Sequence, residues 1–191
     1  AFSGVGGDSA GGVEVRVVVV LADAGDMGMM RVLKHLLVPH WTLARAFPRR
    51  TLAAIEAAIK ASEKTHDGEL RFAVEAGLDL LPLLRRHTTR QRAQEVFSSL
   101  RVWDTAHNSG VLIYVQFVDH RIEIVADRGI AARVEQQQWD AICRRMEHEF
   151  SCRRYEQGVL AAIAEITALL ARYFPPRDDN PDELPDQPMI L

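Results

Sequence analysis

Acidic and amide side chains gather in three polar stretches of this 191-residue sequence: Glu63 to Glu69, Asp104 to Gly110, and Asp127 to Gly129. The first carries Glu63, His66, Asp67 and Glu69, the second Asp104, His107 and Asn108, the third Asp127 and Arg128. Carboxylates and amide carbonyls are the oxygen ligands that hard divalent cations take. Asp104, Asn108, Asp127, Asp67 and Glu69 are therefore the candidate ligands for Ca2+ or Mg2+. Such an ion would polarise a phosphoryl oxygen and acidify bound water, while Arg128 would offer positive charge to a phosphate. Taken singly, each acid is an ordinary turn or capping residue. No nucleophile motif accompanies them: a Walker-type glycine loop, Cys-x5-Arg and Gly-x-Ser-x-Gly are all missing from the sequence.

These residues act together only if the surrounding elements bring them to one place. Glu69 to Glu75 alternates, with Leu70, Phe72 and Val74 on one face, and predicts a strand with one strongly apolar face. Val111 to Val118 is the most apolar run and predicts a central strand covered on both sides. Arg121 to Ala126 returns from it as an edge strand across Asp119-His120. With a two-residue turn, Val118 faces Arg121 and Gly110 faces Gly129. The helical connection before Val111 has the length of a parallel crossover, so both parallel strands begin where the returning strand ends. The three polar stretches then form one rim, with Gly68, Gly110 and Gly129 permitting close backbone approach.

Around this sheet, helical periodicity marks Thr51 to Ser62, Thr89 to Leu100, Gln136 to Phe150 and Tyr155 to Phe174, the last stopped by Pro175-Pro176. The fold class is α/β, with a small mixed sheet made of a parallel crossover and an antiparallel hairpin. Residues 1–30 are expected to be a flexible leader, in which VEVRVVVVLA reads either as an extra edge strand or as a stretch ahead of a natural start among Met27, Met29 and Met30. Residues 175–191, acidic and proline-rich, are expected to be disordered.

The composition is that of a soluble globular domain, with 48% hydrophobic and 26% charged residues. A net charge of -3 gives no footprint for nucleic-acid binding. The basic pairs Arg85-Arg86 and Arg153-Arg154 stand near acids and read as solvated surface. No stretch has the length of a membrane span or the flanks of a secretory signal, so a cytoplasmic location is expected. Cys143 and Cys152 are then free thiols, and Cys143, His148 and Cys152 lack the paired spacing of a zinc site.

The succession of helix, ELRFAVE, helix, VWDTAHNSGVLIYV, HRIEIVADRGI, WDAICRRMEHEF and YEQGVLAAIAEITALL resembles the TPM domain, most specifically at Asn108-Ser109-Gly110-Val111-Leu112 and Asp127-Arg128-Gly129. It covers roughly residues 31–174 and looks closer to the short, unanchored bacterial members than to the exported ones. The resemblance implies a three-layer α/β/α sandwich. In parts of the family it implies bound calcium or magnesium, and in the plant branch a weak acid-phosphatase activity. Trp103-Asp104-Thr105 stands where many members carry a Trp-Gly-Ile-Gly type loop. Two alternative functions are expected: a cation-binding domain that could hydrolyse phosphate esters weakly, or a non-enzymatic adaptor for a protein partner that could be a membrane protein.

Overall fold

The structure, a computed structural model, describes residues 40–77, 88–177 and 182–191. The expected leader, the break around Pro82 and residues 178–181 lie outside the described residues. A short helix α1 (His40–Ala46) precedes α2 (Arg49–Ser62), which starts where Pro48, with φ −65°, sets an extended N-cap. A 3-10 turn (Glu63–Thr65) leads to β1 (Glu69–Glu75). Next come α3 (Thr89–Ser99), β2 (Gly110–Gln116), β3 (Arg121–Ala126), α4 (Arg128–Ala131), α5 (Gln136–Ser151), α6 (Tyr155–Tyr173) and β4 (Met189–Ile190). Thr88 and Gln91 begin α3 with a reciprocal capping box.

The sheet runs β3-β2-β1-β4, with β1 parallel to both β2 and β4 and β2 antiparallel to β3. One face places Leu70, Phe72, Val74, Val111, Ile113 and Val115 against α2, α5 and α6. The other packs Ala73, Leu112, Tyr114 and Val125 against Ala93, Val96 and Phe97 of α3. Helices therefore cover both faces, and the three-layer α/β/α sandwich is present.

Three details depart from the sequence reading. The hairpin register sets Gln116 opposite Arg121, and the turn spans Phe117 to His120. A two-residue turn needs left-handed backbone at both central positions (type I′) or at the first (type II′), whereas of Asp119 and His120 only the second adopts it (φ 52°). Phe117 and Val118 instead donate their amides to Glu75 O and Ala76 O at 2.9 and 3.2 Å. The shift is two residues, which keeps every side chain on its expected face. Gly110 consequently does not face Gly129.

The second departure is β1, which is buried on both faces. Its polar side is covered because Arg92 of α3 grips Glu75, with Nη2 2.8 Å from Oε1 and Nε 3.1 Å from Oε2, and the Tyr114 hydroxyl also donates to Glu75. Burial raises the Tyr114 pKa, and the negative charge of Glu75 adds to the effect. The third is the tail. Residues 182–191 are not disordered: Leu184 is buried with the α3 face, Met189 pairs with Ala73, and Leu191 N donates to Val74 O at 3.0 Å. The outer edge of β1 would otherwise present unpaired backbone groups, and this strap satisfies part of that edge.

Candidate functional site

The rim forms as expected. Glu69 N donates to Ser109 O at 3.0 Å, Asp127 N to Gly110 O at 2.8 Å, and Gly129 N to Asn108 O at 3.1 Å. All three polar stretches are thus joined through backbone hydrogen bonds.

Their acids are nevertheless used differently from one another. Asp127 Oδ1 caps α4 by accepting from Arg128 N at 2.7 Å, while its Oδ2 is buried without a hydrogen-bond partner. Asn108 Oδ1 accepts from Arg128 Nε at 2.9 Å, so Arg128 bridges two of the loops. Asp67 Oδ2 accepts from Arg177 Nη2 at 2.6 Å, and His107 lies within hydrogen-bond distance of the same guanidinium. Asp104 is exposed.

Among the described residues, the acids that approach closely enough to share an ion are Glu63, Glu69 and Asp182, with one carboxylate oxygen of each within 4.8 Å of the others. Two ligands of a single calcium at 2.3–2.6 Å stand at most about 5 Å apart, so the spacing suits that ion. Glu69 was expected at the rim as a ligand, Glu63 as a rim residue. Asp182 was not expected, because it lies in the segment read as disordered.

Each of the three comes from a different part of the chain. Glu63 follows α2, and its Oε1 accepts from Leu70 N at 2.9 Å, which fixes it beside the first residues of β1. Glu69 begins β1 and accepts from Leu184 N of the strap at 3.1 Å. Asp182 lies at the start of that described strap. Glu183, next to it, accepts from Ala106 N at 3.1 Å and joins the strap to the second loop.

Burial dominates the chemistry of the two glutamates. Loss of hydration pushes the Glu63 carboxyl up to about 9, helped by a hydrogen bond with Asp186. The same cause pushes Glu69 up to about 7, partly offset by strap amides. At neutral pH Glu63 carries a proton and Glu69 is divided between its two forms. A divalent cation would replace those protons. Arg71, also buried, interacts electrostatically with Asp186 and Glu63, and desolvation lowers its pKa. Its Nε and Nη1 and the Oδ1 of Asp186 are buried without hydrogen-bond partners, so polar demand here exceeds what the protein itself satisfies.

His66 is engaged elsewhere. Its Nδ1 accepts from Gly68 N at 3.2 Å, so Nε2 holds the proton and donates to Ser62 Oγ at 2.7 Å. Ser62 passes the chain to Thr167 Oγ1, which donates to Ile163 O. Burial depresses the imidazole to about 4 and keeps it neutral.

A family model described as the TPM domain matches residues 42–169. The chain belongs to the TPM domain family. The NMR structure of the BA42 protein from the psychrophilic bacterium Bizionia argentinensis is similar, with a TM-score of 0.66 and 31% identity over 74% of this chain and 93% of that one. No curated protein matches the sequence.

In this TPM domain the most specific segments, Asn108-Ser109-Gly110 and Asp127-Arg128-Gly129, lock the rim. Asn108 adopts left-handed backbone (φ 53°), which asparagine tolerates better than most residues. Gly129 lies under the Asn108 and His107 carbonyls, where an added Cβ would come within 2.6 and 2.7 Å. The domain's described residues include no helix long and apolar enough to cross a membrane.

Proposed function

We propose that this TPM domain binds a divalent cation, with calcium preferred, between Glu63, Glu69 and Asp182, and that the ion fastens the C-terminal strap along β1. The observation that carries the reading is the approach of these three carboxylates from three separate segments. Like charges gathered this closely repel one another, and a bound cation removes the repulsion that protons otherwise relieve. Calcium accepts irregular oxygen shells, whereas magnesium demands near-octahedral geometry, so ligands drawn from a turn, a strand end and an exposed strap suit calcium.

Calorimetric titration tests the reading. Calcium should bind the intact protein, and Glu63→Gln or Asp182→Asn should weaken binding by about 10-fold or more. Asp104→Ala, altered at an exposed acid outside the cluster, should bind as the parent does. Equal calcium binding by all three variants would overturn the assignment.

A second reading, slow hydrolysis of phosphate esters, is favoured by Arg128, which is exposed on the same rim with only its Nε directed to Asn108. When bound, the cation would supply Lewis-acid polarisation of a phosphoryl oxygen. The reading predicts p-nitrophenyl phosphate turnover that falls by about 10-fold or more in Arg128→Ala. Turnover unaffected by that change would remove the support Arg128 gives.

A further inference from the structure

The opposite end of the sheet, beyond the β2–β3 turn, holds a groove of about 1250 Å³ that neither reading uses. Its walls carry Arg45, Arg50, Arg153 and Arg154, with Trp41 and His120 at exposed positions. The chain as a whole has a net charge of -3, so four arginines around one concavity are a local reversal of sign. The single carboxylate lining the groove, Glu156, accepts from the Thr51 hydroxyl and keeps its charge, and the four arginines outnumber it. Arg154 pairs with Glu149, but Arg45, Arg50 and Arg153 have no carboxylate partner among the described residues.

The arginine groups surround aromatic surface. Phe117 stacks on His120 with ring centroids 6.1 Å apart and an interplanar angle of 18°, and it meets Tyr155 at 5.5 Å. Trp41, 62% exposed, stands on the same helix as Arg45 at i,i+4 spacing, which puts an open indole and a guanidinium on one face. Helices α2 and α6 both begin in the groove wall without a side-chain cap. An anion held by the arginines would also meet their first-turn dipoles.

We propose that this groove binds a nucleoside phosphate, the ring stacking on the exposed aromatics and the phosphates pairing with Arg50 and Arg153. Arginine is suited to this because its planar fork pairs bidentately with phosphate oxygens. Aromatic faces accept any base without hydrogen-bond readout. A concave groove with an aromatic floor favours such a compact ligand over a membrane surface, which would need a convex or flat basic face.

NMR titration of the ¹⁵N-labelled full chain tests the proposal, in EDTA so that the acidic cluster at the other end holds no metal. ATP should bind saturably with a Kd below about 1 mM, shifting the Trp41 indole and the Arg50 and Arg153 signals. Adenosine and inorganic phosphate, each offering half of the recognition, should bind about 10-fold more weakly or worse. The pair Arg50→Ala with Arg153→Ala should weaken ATP about 10-fold or more, and Trp41→Ala should weaken ATP while leaving inorganic phosphate within about two-fold. These residues are exposed, and an unchanged amide spectrum establishes that the variants fold. Shifts that never saturate, that map to other arginines such as Arg121 and Arg145, or that persist in the double variant would overturn the proposal. So would binding to phosphatidylserine vesicles without binding to ATP.

Discussion

Gly110→Ala is expected to destabilise the domain by about 4 kcal/mol or more, beyond the usual range for a single added methyl group. A Cβ at this position would stand 1.9 Å from Val102 O and 2.9 Å from Val102 C. Neither neighbour is the end of a flexible side chain. Val102 is held by its own amide on Phe97 O at 3.0 Å, and its side chain is fully buried. Gly110 cannot retreat either, because it pairs with Glu69 in β1 and its carbonyl accepts from Asp127 N. Relief would break the hydrogen bonds that join the three loops, so the loss of stability and the loss of the rim coincide. Urea unfolding checks it. A variant within about 1 kcal/mol of the parent would show that the loop before β2 does not pack as described.

The second large effect is an expected dependence of stability on pH, which the proposed calcium binding would suppress. Glu63 and Glu69 are raised in the fold to about 9 and about 7, from an ordinary value of 4.5. Between the ordinary and raised values the folded chain holds protons that the unfolded chain has released, so stability is full below pH 4.5 and falls as pH rises through 7 and 9. His66 works in the other direction. Its folded value of about 4 lies below the ordinary 6.5, so its contribution is present above 6.5 and lost as pH falls through 4. Two acids outweigh one imidazole where the windows overlap, and the net slope stays downward.

The size of this loss has a ceiling. Releasing the strap would rehydrate both acids, so the loss cannot much exceed the cost of freeing Leu184 and β4, on the order of 3 kcal/mol. In EDTA the midpoint of thermal unfolding should therefore drop between pH 5 and pH 8.5. At pH 8.5 the proposed calcium binding, at about 100 times its Kd, would add about 2.7 kcal/mol, or about 5 °C or more for a chain of this size. At pH 5 it should add about 1 °C or less, because protons occupy the acids. A calcium effect larger at pH 5 than at pH 8.5 would contradict this linkage.

The sheet was legible because side-chain alternation and apolar runs report burial directly. Leu70, Phe72 and Val74 announced one face of β1, and Val111 to Val115 announced a strand covered on both sides. The parallel crossover then brought the right loops together. Burial of the polar side of β1 was less visible, since Glu75 is buried by Arg92, a residue on another element 17 positions away. The hairpin register failed on turn chemistry, which depends on which residue takes the left-handed conformation.

The site was half legible for a different reason. Loop acids can be counted in a sequence, but their partners cannot. Asp127 is engaged as a cap, Asp67 by Arg177, and Asn108 by Arg128, while Glu69 meets Glu63 and Asp182. The tail hid Asp182 because its composition is acidic and proline-rich. Its few apolar residues, Leu184 and the closing Met189-Ile190-Leu191, were the signal that it could dock, and they are the ones that pack or pair against the sheet.

Calcium titration calorimetry at pH 7.5 in two buffers of different ionisation enthalpy is the most direct test, because it counts the protons displaced by the ion. The raised values of Glu63 and Glu69 predict that about one proton leaves per calcium bound, and that Glu63→Gln abolishes most of this release. Calcium binding with no proton release in the parent protein, or with release undiminished in Glu63→Gln, would contradict a cation held by this buried pair.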